Sequence, residues 1–190
     1  MNIHLLLLVT LTLLTACETG RHVDIEAPQE AVWHYASDSR NAAEWSVYFD
    51  HITPLPGTPD GGVGAIRRCY RRPDESGNTW DEDTVEVRAP HYRQIRTYNL
   101  RGFPEGFEAA QFRVHQRYTA LSPTRTRLEF ASELLRPDDW WSQLKFVTKV
   151  REANRVIQLN LENIKAAIEA RQQGKAYVRP HPWEAKHVWD

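Results

Sequence analysis

Cysteine is scarce in this chain, which has only Cys17 and Cys69 among its 190 residues. Two cysteines cannot build a disulfide framework, and the chain has no pair of Cys-x-x-Cys motifs for a structural zinc site. Excess charge is also lacking, since the formal net charge is -1 at pH 7. Nucleic acid is therefore not an expected partner, and no motif indicates a metal site or a cofactor.

A long hydrophobic run is missing as well. The longest apolar stretch, residues 3–14, is too short for a transmembrane helix, which needs about 20 residues. Its length is typical of a secretory signal. The next residues, Leu14-Thr15-Ala16-Cys17, resemble the bacterial lipobox, in which small residues precede an invariant cysteine. The resemblance implies a signal peptide over residues 1–16, lipidation of Cys17 and a short tether over residues 17–21.

This resemblance predicts a bacterial lipoprotein of the cell envelope, anchored in a membrane through acylated Cys17. Two or more acyl chains anchor a protein stably, at about 0.8 kcal/mol per buried CH2 group. Glu18 follows the cysteine, where Asp would favour inner-membrane retention, so the outer membrane is slightly favoured. The opening "MNIH" carries no Lys or Arg, and a secreted or periplasmic protein with an ordinary cleaved signal stays the alternative.

After the signal, the pattern predicts one strand and two short helices. Val23 and Ile25 alternate with acidic residues, which is the period of a half-buried strand that begins near residue 22. Pro28 suits the first turn of a helix, because it cannot donate a backbone hydrogen bond. Asp38 is a candidate N-cap for a second helix that runs to about Trp45.

Residues 46–135 predict about six further strands, separated by turn residues. Two hairpins are expected, one around Ala89-Pro90 and one around Ser122-Pro123. Because most of these strands are adjacent in sequence, we expect an antiparallel meander.

A long amphipathic helix closes the pattern. Apolar residues recur at alternating spacings of three and four, at Phe146, Val150, Ala153, Ile157, Leu161, Ile164 and Ile168. The helix is expected to start soon after Pro137 and to end near Gly174, a suitable C-cap. Residues 174–190 contain two prolines and no period, and we interpret them as an extended tail.

Four short segments resemble the START-domain and polyketide-cyclase superfamily, SRPBCC. They are "DIEAPQEAVWHYASDSRNAAEW", "GGVGAIRR", "YTALSPTRTRLEF" and "NLENIKAAIE". The resemblance implies an α+β helix-grip fold over residues 22–173, with a curved antiparallel sheet of about seven strands wrapped around the C-terminal helix. It also implies a cavity between sheet and helix, in which family members hold lipids, sterols or polyketides, and some catalyse cyclisation or dehydration.

We expect the cavity wall to include Trp33, Trp45, Tyr98, Phe112, Val114, Gln116, Tyr118, Phe146, Val150 and Ile157. The strand "AQFRVHQRY" has one mostly apolar face, which carries Phe112, Val114, Gln116 and Tyr118. Gln116 would then point inward, and Tyr98 and Tyr118 would add hydroxyl groups to an apolar pocket, as small-molecule sites require. The alternative is that these inward polar groups bond to one another or to water. The two tryptophans have an alternative role as core filling between the helices and the sheet.

No catalytic set is predicted. His115, with Glu86 or Glu129 as partner, lies on the expected solvent face, and Cys69 is interpreted as a buried, inert thiol. Arg67, Arg68, Arg71 and Arg72 form a basic strand that could meet a headgroup or a ligand carboxylate. We favour the alternative that this strand pairs with the acidic "DEDTVE". In the tail, His181 and His187 are six residues apart, which is not a metal-ligand spacing.

The sequence thus favours a non-catalytic, membrane-anchored protein that binds a hydrophobic small molecule or lipid. A cyclase or dehydratase that uses the same cavity is the first alternative. An envelope protein with a filled core that serves protein contacts is the second.

Overall fold

A computed structural model describes residues 19–59, 61–105, 111–135, 140–141, 144 and 150–182. The strands are β1 (Thr19–Ile25), β2 (His51–Pro54), β3 (Ile66–Tyr70), β4 (Thr79–Arg88), β5 (Tyr92–Arg101), β6 (Gln111–Ser122) and β7 (Arg125–Leu135). The helices are α1 (Gln29–Ser37), α2 (Ala42–Trp45) and α3 (Val150–Gln172), and a short 3-10 turn, Ser39–Asn41, joins the first two.

Within these described ranges, seven strands form one antiparallel sheet in the order β1-β7-β6-β5-β4-β3-β2. Strands β2 to β7 follow one another as a meander, and β1 adds to the free edge of β7. Both predicted hairpins are present, and the Ala89-Pro90 peptide bond in the first is cis. The predicted helix-grip architecture is confirmed.

The core lies between the inner face of the sheet and α3. Ile25 and Leu128 from the sheet meet Leu161 and Ile164 from the helix, and all four are fully buried. These helix residues belong to the predicted apolar stripe. Gly174, with a φ of 63°, lies just past the end of α3, as predicted for a C-cap glycine.

Strand β1 starts at Thr19, earlier than the expected start near His22. Thr19, Gly20 and Arg21 lack the apolar alternation that marks a half-buried strand. They continue the strand because the antiparallel ladder extends through Ser132, Ala131 and Phe130 of β7. Backbone pairing thus extends this edge beyond the side-chain pattern.

One glycine is required by a close backbone approach. Gly102 has a φ of 74°, and a Cβ at this position would lie 2.8 Å from the carbonyl oxygen of Gly77. Any other residue would push apart two segments at the end of β5 and the start of β4.

Residues 175–180 have no regular secondary structure, and they pack on the domain. The Tyr177 hydroxyl and the Arg179 guanidinium both donate to the Glu44 carbonyl, at 3.2 and 2.7 Å. Asn163 of α3 exchanges two hydrogen bonds with the backbone of His181, at 2.8 and 2.9 Å. Residues 183–190, which include His187, lie outside the described ranges.

Before α3, Trp140 and Trp141 have helical backbone, and their rings stack with centroids 4.2 Å apart. Both side chains are more than half exposed. No helix in the described part of the chain has the length and apolar character needed to cross a membrane.

Candidate functional site

A cavity of about 190 Å³ lies between the inner face of the sheet and the first turns of α3. Its wall is mostly apolar, and side chains of β3 to β7, α2 and α3 contribute to it. The tryptophans of α2 and β4, Trp45 and Trp80, both face it, and both pack edge-on against Phe49. An apolar cavity of about 150 Å³ already accepts benzene, so this volume suits a compact ligand or one part of a larger ligand.

Half of the predicted cavity residues line this space: Trp45, Phe112, Val114, Gln116 and Ile157. Trp33 and Tyr118 are buried in the adjoining core, where their rings meet edge to face at 5.0 Å. The Tyr118 hydroxyl donates to Oε1 of Gln116 at 3.3 Å, so the two predicted inward polar groups bond to each other. Cys17, Phe146 and the Val150 side chain lie outside the described parts of the chain.

The placement of Tyr98 in the cavity is wrong. Tyr98 pairs with Asp81 across the β4–β5 ladder and shares the outer face of the sheet with it. There the Arg96 guanidinium lies over the Tyr98 ring, 5.3 Å from its centroid. The inner face of β5 carries Ile95 and Thr97 instead, and after a positive φ of 52° at Asn99 the strand turns Leu100 inward.

The wall contains an ion pair between the basic strand and the acidic strand. Nε and Nη2 of Arg67 donate to Oε2 of Glu82, at 2.9 and 2.7 Å, and Nε1 of Trp80 donates to Oε1 at 3.0 Å. The Arg67 and Glu82 side chains are only 15% and 13% exposed. The predicted pairing of the basic and acidic strands is correct, but one of its pairs faces the cavity. The sequence did contain a signal for this position: Arg67 is two residues from the apolar Cys69, and Glu82 is two residues from Trp80, so each charged residue shares a strand face with an apolar one.

Both groups of this pair are charged. Burial alone would raise the pKa of the Glu82 carboxyl, but the nearby Arg67 charge and the hydrogen bonds from Trp80 and Arg67 hold it below its ordinary value. Burial would likewise lower the pKa of Arg67, yet the Glu82 charge keeps it above its ordinary value. The wall therefore presents an internally compensated pair.

Arg93 is a second buried cation behind this wall, opposite Gln116 in the β5–β6 ladder. Its guanidinium donates to the Ser37 carbonyl at 2.9 Å and to the Thr84 hydroxyl at 3.1 Å. Ser37 is the last residue of α1, so Arg93 meets the negative end of the helix dipole. Burial, together with the Arg67 charge, lowers the pKa of Arg93 to about 10, which keeps it protonated at neutral pH.

The candidate nucleophile and proton carrier do not face the cavity in a reactive form. Cys69 is fully buried, and burial together with the Glu82 charge raises the pKa of its thiol. His115 lies on the outer face, as expected, where its partners are the Tyr92 hydroxyl at 2.7 Å and Glu133 at 3.2 Å. Among the described residues no cluster of His, Cys, Asp and Glu is suited to hold a metal ion.

Two neutral polar groups of the wall have no hydrogen-bond partner among the described residues. They are the indole Nε1 of Trp45 and the hydroxyl of Thr97. Trp45 is 7% exposed and Thr97 is 1% exposed. Thr97 stands in a row that crosses the inner face, Arg67–Glu82–Thr97–Phe112, in which each residue is opposite the next. Sequence reasoning missed Thr97 because it assigned the other face of β5 to the cavity.

A family model described as polyketide cyclase/dehydrase and lipid transport matches residues 16–169. No curated protein matches the chain.

Several solved structures share its fold at low sequence identity. The Zhui aromatase/cyclase from Streptomyces sp. R1128 aligns with a TM-score of 0.62 and 17% identity over 85% of this chain and 100% of that protein. A point mutant of norcoclaurine synthase from Thalictrum flavum, in complex with a transition-state analogue, aligns with a TM-score of 0.60 and 13% identity. This alignment covers 83% of this chain and 97% of that protein. The di-domain aromatase/cyclase StfQ of steffimycin biosynthesis aligns with a TM-score of 0.58 and 16% identity over 81% of this chain. The alignment spans only 46% of StfQ.

Proposed function

This chain belongs to the polyketide cyclase/dehydrase and lipid transport family, and we propose that it is a membrane-anchored binding protein for a compact hydrophobic molecule. The observation that carries the proposal is the mostly apolar cavity of about 190 Å³ under α3, with a few polar groups in its wall. Such a combination is what small-molecule sites require. Because side chains do not fill this cavity, it also argues against the alternative of a filled core that serves only protein contacts.

Binding is favoured over catalysis by the state of the ionisable groups. The inward carboxyl, Glu82, is held in its charged form by Arg67 and Trp80 and has no proton to donate at neutral pH. Tyr118 lies in the core next to the cavity, and burial raises the pKa of its hydroxyl well above the ordinary value. Its hydroxyl donates to Gln116 and does not bond to Glu82. No general acid and base are thus poised near neutral pH in this part of the wall.

The binding proposal is tested by filling the cavity. Ala153 of α3 lines the space, and Ala153→Phe adds a ring to it. The full chain and this variant are expressed in cells, purified and extracted for mass spectrometry. A small molecule that co-purifies with the wild type and is lost from the variant is the expected result. Ala176→Phe, at an exposed position in the tail, is the matched control and keeps the molecule. Equal recovery from all three proteins overturns the proposal.

The anchor is a separate element of the proposal and rests on the lipobox resemblance around Cys17. Strand β1 begins only two residues later, which limits the span from Cys17 to the sheet to about 7 Å at 3.3–3.6 Å per residue. Cys17→Ser is expected to move the protein from the membrane fraction to the soluble fraction of cells. A variant that still fractionates with membranes overturns the anchor while leaving the cavity proposal intact.

A further inference from the structure

The charged groups in the cavity wall and directly behind it are already compensated within the protein. Arg67 is paired with Glu82 at 2.7 Å, and Arg93 is bound to the end of α1 through the Ser37 carbonyl at 2.9 Å. An ionic ligand would lose its hydration on entering the cavity. It would gain no counter-ion in return, because these charged groups already bond to other groups of the protein. The described part of the wall is therefore poorly matched to a charged ligand.

The neutral groups are in the opposite situation. A buried threonine usually donates its hydroxyl proton to a nearby carbonyl, as Thr126 does to Ala27 at 2.9 Å. Thr97 is equally buried, lines the cavity and has no such partner among the described residues. The same holds for the indole N–H of Trp45, which can only donate.

Trp45 is held in place by its surroundings. Its carbonyl accepts a hydrogen bond from Nδ2 of the fully buried Asn163 at 2.9 Å, and its ring packs against Phe49 at 5.7 Å. A side chain fixed in this way cannot turn its N–H out to bulk solvent at low cost, so a partner has to come from within the cavity.

We propose that Trp45 Nε1 and the Thr97 hydroxyl each offer a hydrogen bond to a neutral oxygen of an otherwise apolar ligand, such as a carbonyl, ether or hydroxyl oxygen, and so form a hydrogen-bond subsite in this cavity. The proposal rests on the proposed function, because it names the ligand class of the same cavity. A ligand with such an oxygen replaces the hydrogen bonds that water makes to the two groups. One without it leaves both groups buried and unpaired.

The test uses three bicyclic probes of similar size, which differ in one group. They are tetralin without oxygen, α-tetralone with a carbonyl, and 1,2,3,4-tetrahydro-1-naphthoate (below, naphthoate) with a negative charge. Binding to the purified full chain is measured by isothermal titration calorimetry. We expect α-tetralone to bind at least about ten times more tightly than tetralin, as a net hydrogen bond of about 1.4 kcal/mol gives, and naphthoate to bind more weakly than tetralone.

Thr97→Val removes the hydroxyl and keeps the shape of the side chain. In this variant the preference for tetralone over tetralin falls severalfold, while tetralin binds at least as well as before. The melting temperature of the ligand-free variant does not fall, because the lost hydroxyl has no partner within the described protein. Thr119→Val, at an exposed position on β6, is the matched control and keeps the tetralone preference.

The outcomes separate the two proposals. Binding of none of the probes overturns the cavity proposal and the subsite with it. Equal binding of tetralin and tetralone to the wild type overturns only the subsite and leaves an apolar binding protein. Tightest binding of naphthoate overturns the neutral-ligand inference and indicates that the Arg67–Glu82 pair opens to an anion.

Discussion

The two faces of the sheet carry the same kinds of ion pair in different surroundings. Strands β3 and β4 supply one of each, because their register places Arg67 opposite Glu82 on the inner face and Arg68 opposite Asp81 on the outer face. Further pairs on the outer face join neighbouring strands, as Arg117 and Glu129 do at 2.7 Å. On the inner face Arg67–Glu82 stands among tryptophans and apolar side chains.

An ion pair that is exposed to water and one that is buried among apolar side chains therefore contribute differently to the free energy of unfolding. The outer pairs are not all alike: the Asp81 side chain paired with Arg68 is only 3% exposed, whereas the side chains of Arg117–Glu129 are 41% and 32% exposed. An exposed pair such as Arg117–Glu129 exchanges one hydrated state for another and contributes little. The inner pair has lost most of its hydration, so each member depends on the other. Four predictions follow this difference from its largest consequence to its smallest.

The largest effect is expected from Glu82→Gln, which leaves the Arg67 charge buried without its counter-ion. Loss of a buried partner costs about 3–5 kcal/mol of the free energy of unfolding. Urea denaturation at pH 7 measures it. The double variant Arg67→Met, Glu82→Leu removes both charges and is expected to recover most of the loss. A single variant as stable as the wild type would place the inner pair in the same class as the outer ones.

The same pair predicts a pH dependence. The folded-state pKa of Glu82 lies below the ordinary value of 4.5, so the pair stabilises the protein above that pH. The contribution disappears as the pH falls through the folded-state pKa. The stability gap between wild type and Glu82→Gln should therefore be widest at pH 7 and shrink below pH 4.5. Urea titrations across this range measure the gap, and a constant gap would contradict the assignment.

An intermediate effect is expected from Thr126→Val. This change removes the hydroxyl that donates to the Ala27 carbonyl at 2.9 Å, and the buried acceptor loses its donor. The expected cost is about 1–3 kcal/mol in the free energy of unfolding, measured by thermal or urea denaturation. Thr97→Val provides the contrast on the same face, since its hydroxyl lacks a described partner. Equal losses in both variants would show that Thr97 has a bonding role of its own.

The smallest effect is expected from Glu129→Gln on the outer face. Its partner Arg117 remains accessible to water, so the free energy of unfolding should fall by no more than about 1 kcal/mol. Denaturation at low and high salt checks this, because screening further reduces the contribution of an exposed pair. A loss comparable to that of Glu82→Gln would remove the distinction between the two faces.

The order of the elements could be predicted from the sequence because alternation, turn residues and the stripe of α3 are local signals. The inner face of β6 was also predictable, since Phe112, Val114 and Tyr118 alternate cleanly. The inner face of β5 was not predictable, because a tyrosine can be buried on either face of a sheet. Tyr92 is buried on the outer face, under Arg88. The inner face of β5 holds Arg93, whose inward position depends on the Ser37 carbonyl at the end of a distant helix. Such long-range compensation leaves no local pattern.

The residues after α3 change what counts as the folding unit. A chain cut at Gly174 would keep every helix and strand described above. It would nevertheless lose the hydrogen bond from Arg179 to the backbone of α2 and the hydrogen bond from the His181 backbone to Asn163. Asn163 also holds the carbonyl of Trp45, a residue of the cavity wall. Secondary structure alone would therefore set the boundary of this domain too early, and a shortened protein would test a cavity with one wall released.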